Sequence, residues 1–236
     1  MTAELLRTVF PGRPVHYYES VDSTMTAAAG KPIGTLVVAG AQSAGQGRHG
    51  HSWHSEPGSG IYCSLVLANT PLLTLALGLA TADAIATTTG IACDLRWPND
   101  VLIDGKKAAG ILVQLSGETA IGGIGININH SAFPAELADQ ATSLQLQSGR
   151  SFEPVEILKN LIPTVERFIR LEPEEILRLF TRASSYVSGR RVVVDQPGGI
   201  VEGVTAGMNS SGYLVVRRDN GTDTLILAGG VRAARS

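Results

Sequence analysis

Ser43-Ala-Gly-Gln-Gly-Arg-His-Gly-His-Ser-Trp53 contains, at Gly45–Gly50, a literal G-x-G-x-x-G. Whether that match is the dinucleotide fingerprint decides the fold. The fingerprint needs a strand, a glycine turn and then a helix whose N-terminus holds a pyrophosphate. Thr35-Leu-Val-Val-Ala39 supplies the strand, but the following HSWHSEPGSG has loop composition throughout. The acidic residue required about 20 positions on is missing, because Ala68-Asn69-Thr70 stands there. No GK[ST] follows, so the nucleotide P-loop fails as well. With 27 Gly among 236 residues a chance match is ordinary. The dinucleotide fold is rejected.

Outward from this loop the elements are short and mixed. A helix follows Asp22-Ser-Thr24 and stops at Gly30-Lys-Pro32. Downstream, a strand near 61–67 leads to a helix near 72–88. Further strands fit Cys93–Trp97, Val101–Ile103, Gly110–Leu115 and Ala120–Ile128, with Asp104-Gly105 as a tight hairpin. Helices fit 153–170 and 173–184; in the first, Val155, Leu158, Ile162, Val165 and Ile169 keep 3–4 spacing. From about Tyr186 the texture changes to RRVVVD, IVEGVTAGM, GYLVVRRD and DTLILAGGV, separated by PGG, NSSG and DNG turns. The expected fold class is α+β. Residues 1–185 would form a mixed β-sheet with packed helices, and 186–236 a small all-β, barrel-like unit.

Composition narrows the function. Net charge is −2, with Lys+Arg 19 against Asp+Glu 21, so the basic excess of a dedicated nucleic-acid binder is absent. The N-terminus has no apolar signal region. The charge-free run Ile61–Ala82 is broken by Asn69-Thr-Pro71, which suits a strand and a helix better than a membrane span. Cys63 and Cys93 lack CxxC spacing and read as buried thiols of a cytoplasmic protein.

Several residues invite chemistry. The glycine segment exposes backbone N–H groups beside Arg48, His49 and His51; it is either an anion clamp or an unliganded surface loop. Lys107 opens the apolar run KAAGILV, where a cation is costly unless an anion meets it or the side chain snorkels to the edge. Asn99 and Asp100 sit on a Pro-turned corner, and Asp100 suits either a metal or the orientation of the lysine. IGGIGININ places glycines inside a strand, as when a ligand or another backbone approaches closely. In that strand Asn127 and Asn129 share a face. His49, His51 and His54 suggest zinc, but without a carboxylate or Cys partner they make a poor site.

DST (22–24), QSAGQGRHGHSW (42–53), RWPND (96–100), KAAGIL (107–112) and GIGIN (123–127) occur in this order. In these motifs, and from about residue 16 into the C-terminal β region, the chain resembles the biotin protein ligase family. The resemblance implies a reaction of biotin with MgATP to give biotinyl-5′-AMP, followed by biotin transfer to a lysine of a biotin carboxyl carrier protein. It implies Lys107, Arg48 and Asp100 as catalytic residues. It places Ser23, Thr24, Gln42, Gly45 and Gln46 around biotin, with Gly110, Ile111 and Gly125 beside Arg48 and Lys107. His49, Gly50, Trp53, Asn99 and Asn127 would join Arg48 and Lys107 around ATP. Mg2+ would come with the nucleotide phosphates, Asp100 being the protein ligand to consider. Gln46, His49 and His51 stand where bacterial members often carry Arg or Lys, which puts retention of the adenylate in doubt. Only about twenty residues precede DST, too few for a DNA-binding module, so no DNA partner and no membrane partner are expected. A homodimer stays open. A lipoate ligase or octanoyltransferase and a catalytically idle binding module are the alternatives, separated by lipoate-dependent against biotin-dependent pyrophosphate release and by adenylate formation in a single turnover.

Overall fold

The structure, a computed structural model, describes residues 1–196 and 198–234. Pro197 of the expected PGG turn and the last two residues of the expected C-terminal unit lie outside the described residues. Two sheets organise the chain. The larger has the order β1 (Val15–Tyr18), β2 (Leu36–Ala39), β3 (Gly60–Ala68), β7 (Thr119–Asn127), β6 (Lys106–Ser116), β5 (Asp100–Ile103), β4 (Asp94–Arg96). β1 pairs parallel with β2 and the other neighbours are antiparallel, so the sheet is mixed.

Alternation along the strands gives the sheet two distinct faces. Ile61, Cys63, Leu65 and Leu67 of β3 join Ile111, Ile124 and Ile126 in the main core. Two helices, α3 (Leu73–Thr89) and α5 (Pro154–Phe168), pack into that core. α3 is apolar nearly all round because the sheet, α5 and α6 (Pro173–Ala183) enclose it. No described helix is long and apolar enough to cross a membrane. On the opposite face the covering is lighter. There the short α2 (Thr24–Ala28) buries Met25 and Ala28 against Val37, Val66 and Ile121.

The C-terminal sheet is antiparallel, in the order β11 (Asp223–Ile226), β10 (Leu214–Arg217), β9 (Gly199–Met208), β8 (Ser188–Gln196), β12 (Gly230–Ala233). DTLILAGGV, read as one strand, therefore divides between β11 and β12, with the glycines opening the second. This sheet shares the main core through Val192, Val194, Val201, Leu214 and Val231. Trp97 Nε1 donates to the Gly212 carbonyl at 2.8 Å, fastening the β4–β5 corner to the small sheet.

The helices at 24–28, 73–89, 154–168 and 173–183 and the strands β2 to β7 fall at the expected segments, except that β6 starts at Lys106 where a strand from Gly110 was expected. Asp104 and Gly105 both have positive φ, as the two-residue hairpin requires. The helices α1 (Ala3–Val9) and α4 (Leu144–Ser148) and strand β1 carry no strong sequence signal, being four to seven residues long.

Candidate active site

One row of residues crosses the lightly covered face. Registers pair Arg96 with Asp100, Asp100 with Gly110, Gly110 with Gly125, and Gly125 with Tyr62. Residues directly opposite one another present side chains on the same face. The row therefore has a cation and an anion at one end, a phenol at the other, and two glycines between as a bare floor.

Lys107 reaches this floor because β6 is irregular. Val101 pairs with Ala109 but Leu102 pairs with Lys107, so Ala108 is the extra residue of a bulge. A bulge re-aims the side chains before it. Lys107 thus joins the face of Gly110, and a Cβ on Gly110 would lie 2.8 Å from Lys107 Cε. Lys107 Nζ sits 2.6 Å from Asp100 Oδ1, while Arg96 binds Asp100 Oδ2 through Nη2 at 2.6 Å and Nε at 3.1 Å. Burial alone would raise the Asp100 carboxyl, but the attraction and hydrogen bonds of Lys107 and Arg96 outweigh it and hold it below the usual carboxylate value. The anion that meets Lys107 is therefore Asp100.

Arg48 enters from the glycine loop. Its Nη1 donates to Asn99 Oδ1 at 3.0 Å and lies 3.4 Å from the Gly229 carbonyl of the small sheet. Asn99 is itself pinned to β6: its Nδ2 donates to the Ile111 carbonyl at 3.1 Å and its carbonyl accepts from Ile111 N at 2.9 Å. Partial burial lowers the Arg48 guanidinium value, and Asp100 opposes that shift. The loop tip is a short turn, Arg48–Gly50, in which His49 and Gly50 both take left-handed backbone.

Trp53 covers the glycine floor. A Cβ on Gly125 would lie 2.4 Å from its indole, so any larger residue there displaces the ring. Lys107 Nζ stands 5.3 Å from the indole centroid, within cation–π range. The cavity left among Thr24, Gln42, Arg48, Lys107, Ile111 and Gly125 is about 50 Å³. Small-molecule sites usually run to roughly 300–1,000 Å³. The glycines read from the sequence as points of ligand approach thus receive an indole from the same chain. A larger groove of about 510 Å³ at Phe10, Arg13, Ile162 and Glu166 has its guanidinium already paired with Glu166 and lies away from this row.

At the far side a hydroxyl chain runs from Ser64 Oγ to Thr24 Oγ1 (2.9 Å) and from Thr24 Oγ1 to Gln42 Oε1 (3.1 Å). Gln42 Nε2 donates to Ser55 at 3.0 Å. Gly45 fits tightly between Gln42 and the Trp53 carbonyl. Gln46 lies further out, donating to Thr26 and accepting from Gln114. Ser23 serves as N-cap of α2, its hydroxyl accepting from Met25 N. Asn127 sends its amide to the carbonyls of Lys107 and Thr142, and Asn129 to that of Phe152. The expected shared strand face is not formed: β7 ends at Asn127, Asn129 lies beyond it, and both amides go to backbone carbonyls. Sequence reasoning missed Ser64, a fully buried hydroxyl inside the apolar run GIYCSLVLA, and Arg96 as the second cation on Asp100. The lone polar residue in that strand was the available signal for Ser64.

Residues 17–129 match the Biotin/lipoate A/B protein ligase family. The chain is 39% identical over 183 residues to the bifunctional ligase/repressor BirA of Bacillus spizizenii, covering 70% of this chain and 56% of that protein. It thus spans little more than half the length of that relative. It is 32% identical to the biotin–[acetyl-CoA-carboxylase] ligase of Mycobacterium tuberculosis over 228 residues, which is 89% of this chain and 83% of that one. The biotin protein ligase of Aquifex aeolicus, solved in complex with biotin and ATP, superposes with a TM-score of 0.81 at 30% identity, over 94% of this chain and 99% of that one. With likeness to such ligases running through both sheets, the chain belongs to the biotin protein ligase family.

Proposed function

We propose that this protein is an ATP-dependent biotin protein ligase acting in two steps. In the first, a biotin carboxylate oxygen attacks the α-phosphorus of ATP, the bond to pyrophosphate breaks, and biotinyl-5′-AMP forms. In the second, the neutral ε-amine of a carrier-protein lysine attacks the acyl carbon; AMP leaves and the amine loses a proton. The observation that carries this reading is the convergence of Lys107 and Arg48 on one glycine-floored row.

Attack by one anion on another needs cations placed before the reaction, so that charge developing on the phosphoryl oxygens is met without reorganisation. Lys107 is held ready by Asp100, and Arg48 by Asn99. The polar set Thr24, Gln42 and Ser64 suits the ureido ring, and the indole of Trp53 offers a face for adenine once displaced from the floor. The glycine loop carrying Arg48 and Trp53 would then close over the adenylate and keep water out. Both Asp100 oxygens are held by cations, and no carboxylate is among the described residues that line the cavity. These residues do not fit a protein ligand set for Mg2+, and no step is assigned to it. Residues 1–185 would hold both substrates, and 186–236 would brace Arg48 through Gly229 and help receive the carrier.

Transfer of labelled biotin to a carrier domain in the presence of ATP tests the assignment. Biotin-dependent pyrophosphate release is the expected result. Lipoate-dependent release alone, or no adenylate in a single turnover, would overturn it.

A further inference from the structure

Outside the ligand row, three donor side chains meet where the glycine loop rejoins the sheet. His54 and Glu56 follow Trp53, and His130 lies just beyond β7. Donor atoms of all three lie within 4.8 Å of one another. Two imidazoles and one carboxylate are a ligand set for Zn2+ and related divalent first-row metals. The loop histidines alone lacked a carboxylate; the fold supplies Glu56 and brings His130 from elsewhere in the chain.

His130 carries the argument. It is fully buried, yet its Nδ1 has no hydrogen-bond partner among the described residues. Buried polar atoms are nearly always paired, so an orphan needs a reason. The state of that nitrogen follows from Tyr62. The Tyr62 hydroxyl donates its one proton to the Glu56 carbonyl at 2.8 Å and also lies 3.3 Å from His130 Nε2. With the proton committed, the second contact forms only if Nε2–H donates to the phenol oxygen. Nδ1 is then the bare lone pair. A histidine with one nitrogen fixed as a donor and the other left as a lone pair is arranged as metal-bound histidines are. Phe133 stacks on the ring at 5.0 Å and 13°, holding its plane.

We propose that His54, Glu56 and His130 bind a divalent transition metal of the zinc class, tying the exit of the glycine loop to the segment after β7. Ligand bonds of about 2.0–2.2 Å place donors on one ion no more than roughly 4 Å apart. The loop-borne His54 and Glu56 therefore close inward on the fixed imidazole. Tyr62 links these residues to the end of the glycine-floored row, and the metal site does not rest on the ligase reading.

The test is titration of the chelator-stripped full chain with Zn2+, with Co2+ as a visible-absorption probe. One Zn2+ per chain is expected, with a rise in Tm. His54→Ala and Glu56→Gln should each weaken binding by at least about tenfold and abolish the Tm rise, the scale on which metal sites respond even to loss of outer partners. Both side chains are on the loop side, so both variants should fold, and neither belongs to the reacting row. A His49→Ala/His51→Ala double variant should bind like the parent. Absence of saturable binding, binding unchanged in the His54 and Glu56 variants, or binding lost in the His49/His51 double would each overturn the site.

Discussion

Lys107 Nζ lies 2.6 Å from Asp100 Oδ1, and Arg96 takes the other oxygen of the same carboxylate. The lysine is thus positioned by a group that is itself positioned. On the proposed reading, a phosphate oxygen would replace or join Asp100 as the anionic partner of this ammonium.

Lys107→Ala should leave the fold intact and lower biotinyl-adenylate formation by about two to three decades, as for loss of one preorganised charge. Single-turnover quench measurements check this. Adenylation near the parent rate would remove Lys107 from the mechanism.

Asp100→Asn should lower stability by roughly 1–3 kcal/mol, less than for fully buried pairs because Lys107 and Arg96 keep some solvent access. The folded carboxyl titrates below its ordinary value of 3.8. Its stabilisation is therefore complete above that value and fades as pH falls through the lower folded one. The Tm gap between parent and variant should be constant from neutral pH to about 4 and narrow in stronger acid. A gap that widens in acid contradicts the ion-pair account.

On the proposed reading, Arg48→Ala should affect the loop as well as the phosphate. Adenylate synthesis should slow, and biotinyl-AMP should escape faster, recorded as biotin on bystander proteins lacking a carrier domain. Slow synthesis with full retention of the intermediate would show that the loop does not seal through Arg48.

Gly125→Ala places a methyl where the indole of Trp53 lies. Overpacking of this kind costs typically 1–3 kcal/mol. Tryptophan emission should shift to the red, with buried Trp97 as the constant background. Trp53→Ala should relieve most of the cost in the double variant. Additive losses in stability would mean that the two residues do not meet in solution.

Much of this site was legible in the chain because its charges are expensive. A lysine at the mouth of KAAGILV called for an anion or a route to the strand edge, and glycines inside IGGIGININ suited a closely approaching neighbour. Asp100 was already one candidate for orienting that lysine, whereas an indole as the neighbour of the glycines was not legible. The anion is Asp100 and the visitor is Trp53, both set by contacts between distant segments. The bulge at Ala108 is invisible locally, since register belongs to a pair of strands. The carbonyls of Lys107 and Thr142 that receive the Asn127 amide were not legible for the same reason, since distant segments bring them to that side chain. The long elements were readable from their periodicity; α1, β1 and α4 are too short to establish one.

Around Asp100 the charges do not balance. Arg96, Lys107 and Arg48 act on a single carboxylate inside a chain whose formal charge is −2. The far field of the molecule is weakly repulsive to an anion, whereas the mouth of the site is attractive at short range. Salt acts unequally on the two, because exposed charges are screened within about 10 Å at 0.1 M while part-buried ones keep most of their potential. Modest ionic strength therefore flattens the outer barrier before it weakens the inner well. Capture of a polyanion such as ATP should be fastest at intermediate salt, unlike the steady decline shown by proteins that steer with their whole surface.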